Sequence, residues 1–156
     1  MAFEIEHKFL VNSTIFRNLA VPVRYRQGYL VTLPDKTIRI RIAGSQGFIT
    51  VKSRISDLMR KEYEYEIPLP DAEEMLNELC TGIIIEKYRY KILYEGFVWE
   101  VDEFSGDNAG LIVAEIEVGE ENQTFSKPEW VGEEVTTDLR YLNSNLSKLP
   151  YNTWDL

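Results

Sequence analysis

Hydrophobic and charged residues alternate along most of this chain, and a period of two residues indicates β-strands rather than helices. In FEIEHKFLV (3–11), Glu4, Glu6 and Lys8 share one parity, and apolar residues fill most of the other. The alternation recurs in TIRIRIA (37–43), FITVKSR (48–54), KEYEYEIPL (61–69), EKYRYKI (86–92), FVWEVDEF (97–104) and LIVAEIEV (111–118). With a weaker segment near GYLVTL (28–33), the pattern predicts about eight strands.

Turn residues separate these strands, and helical periodicity is confined to short stretches. LPDK (33–36), AGSQG (43–47) and YEG (94–96) predict hairpin turns, and FSGDNAG (104–110) predicts a longer connection. Short helices are predicted for STIFRNLA (13–20) with Ser13 as its cap, PDAEEMLNELCTG (70–82) from Asp71 to Gly82, and TTDLRYLNSNLSKL (136–149) from Thr136 or Thr137. KPEWVGEEV (127–135) predicts a loop or a single turn. We therefore expect a single α+β, mainly β domain over residues 1–156.

Two structures would produce this alternation of charged and apolar positions. An antiparallel sheet with one solvent-facing side alternates in the same way, and its cross-strand ion pairs would each contribute about a few tenths of a kcal/mol. However, the charges within one strand have the same sign, as in Arg39 with Arg41 and Glu115 with Glu117, whereas a face built for solubility mixes signs. The opposite parity is rich in aromatic and branched residues and needs cover. We therefore predict an eight-stranded antiparallel β-barrel with helices packed outside and charged side chains in the lumen.

The chemistry of such a lumen favours one class of ligand. Acids and bases crowded together are costly to dehydrate, so the lumen is expected to hold water and a ligand that carries both signs of charge. Carboxylates bind a hard divalent cation through oxygen, and Lys and Arg side chains bind phosphate oxygens. A metal–polyphosphate complex meets both requirements. A cation between Glu4 and Glu6 would also explain why two like charges are neighbours on one face.

Composition narrows the set of partners and compartments. The net charge of −9, from 17 basic and 26 acidic side chains, argues against binding along a nucleic-acid backbone. The chain has no apolar run of membrane-spanning length and no apolar signal core at its amino terminus. Its single cysteine, Cys80, cannot form an internal disulfide, so we expect a reducing cytoplasm. The only histidine, His7, lies on the apolar parity and is expected to pack rather than to act as a base.

The charged segments, in this order, resemble the CYTH domain, also called the triphosphate tunnel metalloenzyme family. EIEHKFLV resembles the ExExK signature that opens this domain. The later blocks that match are RIRI, TVKS, KEYEYEI, EKYRY, WEVDEF, VAEIEV and WVGEEVTTDLRYLN. The resemblance covers nearly the whole chain. The family's usual Arg between the second Glu and the Lys is His7 here, at a position that points away from the lumen.

The resemblance implies an eight-stranded tunnel that binds a triphosphate with Mg²⁺ or Mn²⁺. The implied metal ligands are Glu4, Glu6, Glu115 and Glu117, with Asp102 beside them. The implied phosphate-binding set is Lys8, Arg39, Arg41, Lys52, Lys87 and Arg89. The implied catalytic set is Lys8, Glu62, Glu64, Lys87 and Arg89, in which Glu62 and Glu64 serve a second metal or orient water. Further residues on the lumen parity are Arg54, Glu66, Lys91 and Glu100, and those matching the block at the tunnel mouth are Arg140 and Tyr141.

The implied reaction is metal-assisted attack of water on a terminal phosphorus, without a Ser, Cys or His nucleophile. Members of the family hydrolyse inorganic tripolyphosphate or nucleoside triphosphates, hydrolyse thiamine triphosphate, or cyclise ATP. The short length resembles the compact bacterial triphosphatases. A thiamine triphosphatase and a class IV-type adenylate cyclase remain alternatives, as does a polyphosphate-binding module without turnover. The resemblance is also consistent with a homodimer.

Overall fold

The computed structural model describes residues 2–155 and consists mainly of β-strands. The strands are β1 (Ala2–Val11), β2 (Val23–Thr32), β3 (Lys36–Ala43), β4 (Gln46–Arg54), β5 (Met59–Ile67), β6 (Thr81–Tyr94), β7 (Phe97–Ser105), β8 (Ile112–Val118) and β9 (Val131–Glu134). The α-helices are α1 (Leu69–Glu78) and α2 (Asn143–Leu146), and the 3-10 helices are Ile15–Asn18, Gly106–Asn108, Leu139–Tyr141 and Tyr151–Thr153. Between residues 2 and 155, no helix is both long enough and apolar enough to cross a bilayer.

The first eight strands form a closed antiparallel barrel. Their order is β5-β4-β3-β2-β6-β7-β8-β1, and β1 also pairs with β5 from Ala2 opposite Glu62 to Ile5 opposite Met59. This last pairing joins the two edges of the sheet, so the predicted eight-stranded barrel is confirmed. Because side chains alternate across a strand, closure sends one parity of every strand into a shared lumen and the other outward.

The outward parity carries the largest hydrophobic core. It is formed on the outer surface of β1, β6, β7 and β8, where Phe9 and Trp99 lie with their ring centroids 5.5 Å apart. Three aromatic side chains from outside the barrel cover this surface. They are Phe16 from the first 3-10 helix, and Phe125 and Trp130 from the segment before β9. The sequence prediction that the apolar parity faces outward under cover is therefore confirmed for this side.

Helix α1 covers a second part of the outer surface. Ala72 and Leu76 pack against Ile40 and Ile42 of β3. The predicted cap was wrong, because the helix begins at Leu69 after Pro68, and Asp71 lies inside its first turn. Pro68 has no backbone N–H to donate to the sheet, so strand β5 ends before it, and the helix begins without a side-chain cap hydrogen bond.

The other two helix predictions were also inaccurate. Residues 13–20 form only a 3-10 turn, Ile15–Asn18, although Ser13 Oγ accepts a hydrogen bond from the Ile15 amide (3.2 Å). The predicted helix over 136–149 is divided, because Leu142 has an extended backbone (ψ 134°) between Leu139–Tyr141 and α2. The segment predicted as a loop or turn contains β9, which pairs with β1.

The carboxyl-terminal segment closes part of one end of the barrel. At that end the inward parity becomes apolar, with Leu10, Ile85, Phe104 and Val113 on four neighbouring strands. The side chains of the carboxyl-terminal segment that pack on this group are Val135, Tyr141 and Leu146. The lumen is therefore charged along most of its length and apolar where this segment enters it.

Gly82 fixes the position of this segment and provides a test of the packing. It has a positive φ (+73°), a Cβ there would overlap the backbone oxygen of Ser147, and that oxygen accepts a hydrogen bond from Ile83 (2.9 Å). Gly96 also has a positive φ (+82°), but no atom of the described residues lies within 4 Å of a Cβ built there. We expect Gly96→Ala to lower the free energy of unfolding by about 1–2 kcal/mol, from backbone strain alone.

The same change at Gly82 adds steric overlap to that strain. Gly82→Ala should therefore cost about 1–3 kcal/mol more than Gly96→Ala. Urea unfolding of both variants measures the difference. Equal losses would show that the carboxyl-terminal segment does not pack tightly against β6.

Candidate active site

The barrel encloses a cavity of about 620 Å³ that opens to solvent and is lined mainly by charged side chains. Twelve of the thirteen predicted site residues line it: Glu4, Glu6, Lys8, Arg39, Arg41, Lys52, Glu62, Glu64, Lys87, Arg89, Glu115 and Glu117. Arg54, Lys91 and Glu100 line it as well. Glu66 does not, and it accepts a hydrogen bond from Gln46 near the surface instead (3.3 Å). The inward parity of the charged strands thus brings the predicted residues into one space.

The strand order groups most of the acids and many of the bases on different strands of this cavity. Six carboxylates come from β1, β5 and β8, which are neighbours in the closed barrel. All but Glu64, which is bound to Thr50 and Arg39, form the group that we call the acidic wall: Glu4, Glu6, Glu62, Glu115 and Glu117. Six cations come from β3 and β6, on either side of β2. Without Lys36 and Lys91, they form the group that we call the basic wall: Arg39, Arg41, Lys87 and Arg89. A ligand in the cavity would therefore meet a surplus of acids on one side and a surplus of bases on another.

The acidic wall contains two pairs of carboxyl groups within hydrogen-bonding reach of each other. Burial, together with its hydrogen bond to Glu4, raises the pKa of Glu62 to about 7. Burial would raise the pKa of Glu4 too, but the hydrogen bond from Glu62 and the charge of Lys52 lower it to about 2. Burial and the negative charge of Glu115 raise the pKa of Glu6 to about 8. At neutral pH, Glu6 therefore keeps most of its proton beside the ionised Glu115, and Glu62 is about half protonated beside the ionised Glu4.

Basic side chains compensate part of the negative charge on the acidic wall. The ion pairs join Lys52 Nζ to Glu4 (2.9 Å) and Glu62 (3.4 Å), Lys8 Nζ to Glu115 (3.3 Å), and Arg60 Nη1 to Glu6 (3.8 Å). These side chains are oriented toward their ion-pair partners. Between residues 2 and 155, no three Asp, Glu, His or Cys side chains lie close enough together to hold a metal ion in this arrangement. The donor set nevertheless fits a hard divalent cation, since the five carboxylates of the acidic wall face one cavity and the raised pKa values of Glu6 and Glu62 favour protons that a cation would replace.

Asp102, predicted beside the metal ligands, lies within electrostatic reach of Glu115 but is not part of the acidic wall. It is 1% exposed and does not line the cavity. One carboxylate oxygen accepts from Arg89 Nε (2.8 Å), and the other accepts from Arg89 Nη2 (2.9 Å) and Lys87 Nζ (2.7 Å). Burial would raise the pKa of Asp102, but Arg89 and Lys87 lower it to about 2. The register explains this, because Asp102 lies directly opposite Arg89 and its carboxylate is used in supporting the basic wall.

Arg41 is the least compensated cation of the basic wall. Its Nε donates to Gln27 Oε1 (2.9 Å), and in the described part of the chain no carboxylate lies within ion-pair distance of it. Burial and the neighbouring charges of Arg39 and Arg89 lower its pKa to about 10. A buried cation without a carboxylate partner is costly, so an anionic ligand at this point would relieve repulsion.

The other members of the basic wall are held in fixed orientations. Arg39 donates to Thr50 Oγ1 (3.2 Å), while its buried Nε has no hydrogen-bond partner among the described residues. Lys87 donates to Asn143 Oδ1 (2.9 Å). Burial lowers the pKa of Lys87 to about 7, against the opposing effect of Asp102. The basic wall therefore offers a ligand the unused Nε–H donor of Arg39, and the charge of Lys87 depends on its neighbours.

Several residues of the cavity were missed by the sequence prediction. Arg60 lies on the same parity as Glu62, one residue before the alternating segment that begins at Lys61. Extending the alternation by that one residue would have predicted Arg60 to face the cavity. Asn143 comes from α2 and also accepts from Gln27 Nε2 (3.1 Å), which no local pattern signals. Tyr25 of β2 lines the cavity between the two strands of the basic wall.

The two residues predicted for the tunnel mouth have different surroundings. The backbone oxygen of Tyr141 accepts a hydrogen bond from Lys8 Nζ (3.2 Å), so this residue contacts the site. Arg140 is bound to Asp138 (2.7 Å) and lies over the Trp154 ring, with its guanidinium carbon 4.8 Å from the ring centroid. Arg140 does not line the cavity.

His7 lies on the outer side of β1, as its parity predicts. Its Nδ1 is 2.7 Å from Glu134 Oε2, and its ring packs against Phe125 with the centroids 5.1 Å apart. It therefore helps to attach the covering segment to the barrel.

Comparisons with known proteins give a consistent family and fold. The sequence profile of the CYTH domain matches residues 2–150. An inorganic triphosphatase of Acetivibrio thermocellus is 52% identical over 154 residues, which is 99% of each chain. An inorganic triphosphatase of Nitrosomonas europaea is 42% identical over 149 residues, which is 92% of this chain and 96% of that protein.

Solved structures agree with these relatives. The crystal structure of an inorganic triphosphatase aligns with a TM-score of 0.67 at 38% identity, over 94% of this chain and 95% of that one. A Hippeastrum protein with a dominant triphosphatase activity aligns with a TM-score of 0.59 at 18% identity, which is a likeness of fold alone.

Proposed function

This chain belongs to the CYTH domain family, and from that premise we propose that it is a metal-dependent hydrolase of triphosphates whose substrate is inorganic tripolyphosphate. The observation that carries the proposal is the cavity with an acidic wall and a basic wall facing one space. Its nearly full-length relatives named inorganic triphosphatase support the same substrate class.

The charge balance of the cavity supports a polyanionic ligand. Eleven Lys and Arg side chains line it against eight Asp and Glu, although the whole chain has a net charge of −9. A locally positive cleft in an acidic protein concentrates small anions there and disfavours long polyanions such as nucleic acids on the rest of the surface.

The carboxylates of the acidic wall suit the metal that the proposal requires. Glu4, Glu6, Glu115 and Glu117 would hold Mg²⁺ or Mn²⁺, which when bound neutralises charge on phosphoryl oxygens and lowers the pKa of water. Asp102 is left out of this set because both of its oxygens are bound to Arg89 and Lys87.

The remaining charged residues would bind and orient the triphosphate. Arg39, Arg41 and Arg89 offer guanidinium donors to the phosphate oxygens, and Lys8, Lys52 and Lys87 offer ammonium donors. Holding the chain of phosphates in line with the attacking water removes much of the entropic barrier to the reaction. Lys87 and Arg89, both fixed by Asp102, would stabilise the charge that develops on the transferred phosphoryl group.

Glu62 is the best candidate for the base that accepts the proton of the attacking water. Its pKa of about 7 is close to neutral pH, at which a general base is most effective. Glu64, which accepts a hydrogen bond from Thr50 Oγ1 (2.8 Å), would help to orient the water.

A substrate panel tests this proposal. Tripolyphosphate, ATP and thiamine triphosphate are each incubated with the protein and Mg²⁺ or Mn²⁺, and phosphate release and cyclic AMP are measured. We expect the highest kcat/KM with tripolyphosphate and no cyclic AMP. Cyclic AMP from ATP would instead identify a cyclase, faster release from thiamine triphosphate a thiamine triphosphatase, and binding without release a polyphosphate-binding module.

Three further points also remain proposals. We infer a reducing cytoplasmic location from the single Cys80, and a small-molecule partner rather than nucleic acid from the acidic surface. A homodimer, which the family resemblance suggests, is tested by sedimentation equilibrium.

A further inference from the structure

The strand register places one aromatic residue between the two strands of the basic wall. Tyr25 of β2 lies opposite Ala43 of β3 and opposite Lys87 of β6. Arg41 and Arg89 are therefore its diagonal neighbours on the lumen face, at a separation that aromatic and long side chains can span. Tyr25 is 7% exposed and lines the cavity.

The Tyr25 ring is in contact with both guanidinium groups. The guanidinium carbon of Arg41 is 4.9 Å from the ring centroid, and that of Arg89 is 4.8 Å away. Both distances are within the range of a cation–π interaction, in which the negative face of the ring attracts the cation. Between residues 2 and 155, the structure gives the Tyr25 hydroxyl no hydrogen-bond partner, so Tyr25 contacts the two arginines through its ring.

The two arginines depend on this ring to different degrees. Arg89 is also held by Asp102 through two hydrogen bonds and by Glu100 (3.3 Å). Among residues 2–155, only Gln27 and the ring hold Arg41, and the nearby charges of Arg39 and Arg89 repel it. Without the ring, Arg41 would be more stable turned away from its like-charged neighbours, because that orientation relieves the repulsion.

We propose that Tyr25 is a positioning residue whose aromatic ring holds the guanidinium groups of Arg41 and Arg89 ready for the phosphate oxygens of the substrate. This inference rests on the proposed function, because it takes the basic wall as the triphosphate site. A cation held in place before binding loses little freedom when the substrate arrives, and that preorganisation improves affinity.

A first pair of variants separates the ring from the hydroxyl. Tyr25→Phe keeps the ring and should leave KM for tripolyphosphate within about twofold, whereas Tyr25→Leu should raise KM by about tenfold, the factor that corresponds to one lost contact of ordinary strength. Tyr88→Leu is the matched control, because Tyr88 lies on the outer side of β6 and is 42% exposed. An equal loss in Tyr25→Phe and Tyr25→Leu, or an unchanged KM in Tyr25→Leu, would overturn the proposal.

A second series avoids the cavity that leucine would leave. Phenylalanine carrying one, two or five ring fluorines at position 25 keeps the shape of the ring while weakening its negative face. We expect KM for tripolyphosphate to rise stepwise with the number of fluorines, with an unchanged melting temperature. A purely structural role for the ring predicts a flat series, which would contradict the proposal.

Binding measurements separate this inference from the proposed function. The dissociation constant of tripolyphosphate is measured by calorimetry for the wild-type protein and for the fluorinated series. If the wild-type protein binds tripolyphosphate but releases no phosphate, the proposed hydrolase fails while the stepwise loss of affinity still supports the role of Tyr25. If the wild-type protein is active and both KM and the dissociation constant are flat across the series, the role of Tyr25 fails alone.

Discussion

Glu115→Gln is expected to abolish phosphate release from tripolyphosphate, with kcat reduced on the order of 10²–10³-fold or more. Glu115 connects the two walls of the cavity. It is hydrogen-bonded to Glu6, its carboxylate is 3.3 Å from Lys8 Nζ, and its charge acts on Lys87 and Arg89. The amide keeps the size of the side chain but removes the charge, so both the proposed metal ligand and the partner of Lys8 are lost in one step.

The same variant should lose some stability but still fold. The charges of Lys8, Arg89 and Lys87 outweigh burial and hold the pKa of Glu115 well below its usual range, so the charged carboxylate stabilises the folded protein at neutral pH. Part of the loss is offset, because the charge of Glu115 is one cause of the raised pKa of Glu6. A lowered but still cooperative thermal melt is therefore expected beside the loss of activity. Lys8→Ala should behave in the same way toward activity, since it removes the other half of this ion pair.

A surface carboxylate provides the control for this prediction. Glu103→Gln removes a charge from β7 on the outer side of the barrel, where Glu103 pairs with Arg17 (2.5 Å). Its kcat/KM should stay within about twofold of wild type, because an exposed pair contributes little. Activity retained in Glu115→Gln, or a collapsed melt in both site variants, would assign these residues to the fold instead of the reaction.

The inward-facing residues of most strands could be predicted because side-chain direction in a strand is a local property. Once Arg39 and Arg41, or Glu115 and Glu117, are assigned to a strand, the period of two places each pair on one face. Closure of the barrel then turns a common parity into a common cavity.

Strand β2 was recognised only in part, because its charge pattern runs opposite to that of the other strands. Arg24 and Arg26 face outward, where they pair with Glu86 (2.8 Å) and Glu73 (2.5 Å). The inward positions of β2 that line or support the site are held by uncharged residues, Tyr25, Gln27 and Tyr29. A search for inward charges therefore passes over this strand.

Partners across the sheet are decided by register, which the sequence alone does not provide. Parity placed Asp102 on the lumen side, but its position directly opposite Arg89 determines that it binds that guanidinium. Pairing across the sheet also explains why strand β9 was not predicted. Val131–Glu134 lacks alternation and is a strand because it pairs with β1. Asn143 likewise reaches Lys87 only because the carboxyl-terminal segment packs on the apolar end of the barrel.

In the absence of divalent cations, the free energy of unfolding should fall as the pH rises from about 5 to 7. The folded protein keeps protons on Glu6, with a pKa of about 8, and on Glu62, with a pKa of about 7. The unfolded chain loses both protons near the ordinary glutamate pKa, so in this range the folded state binds more protons and stability decreases with pH. At about 1.4 kcal/mol per pKa unit, two groups that stay largely protonated over two pH units give nearly 5 kcal/mol. Solvent screening of the partly exposed Glu62 reduces the expected loss to roughly 4 kcal/mol, or about 8–16 °C in melting temperature.

This pH window isolates the acidic wall from the other titrating groups of the cavity. The lowered pKa values of Glu4 and Asp102, both about 2, affect stability only at more acidic pH. The lowered pKa of Lys87, about 7, works in the opposite direction above pH 7, where the unfolded chain still holds the proton that the folded protein has lost. Melts recorded in steps between pH 5 and 7 with a chelator present therefore report mainly on Glu6 and Glu62.

Mg²⁺ or Mn²⁺ should reverse the loss, and more strongly at pH 7 than at pH 5, because a cation bound by the acidic wall displaces the shared protons. Glu6→Gln should flatten the slope of stability against pH and remove most of the stabilisation by the cation, whereas Glu103→Gln on the outer surface should change neither. If Glu6→Gln flattens the slope but the cation stabilises it as it does the wild-type protein, the carboxyl pairs share protons without binding the metal. The metal site would then have to be sought outside the acidic wall.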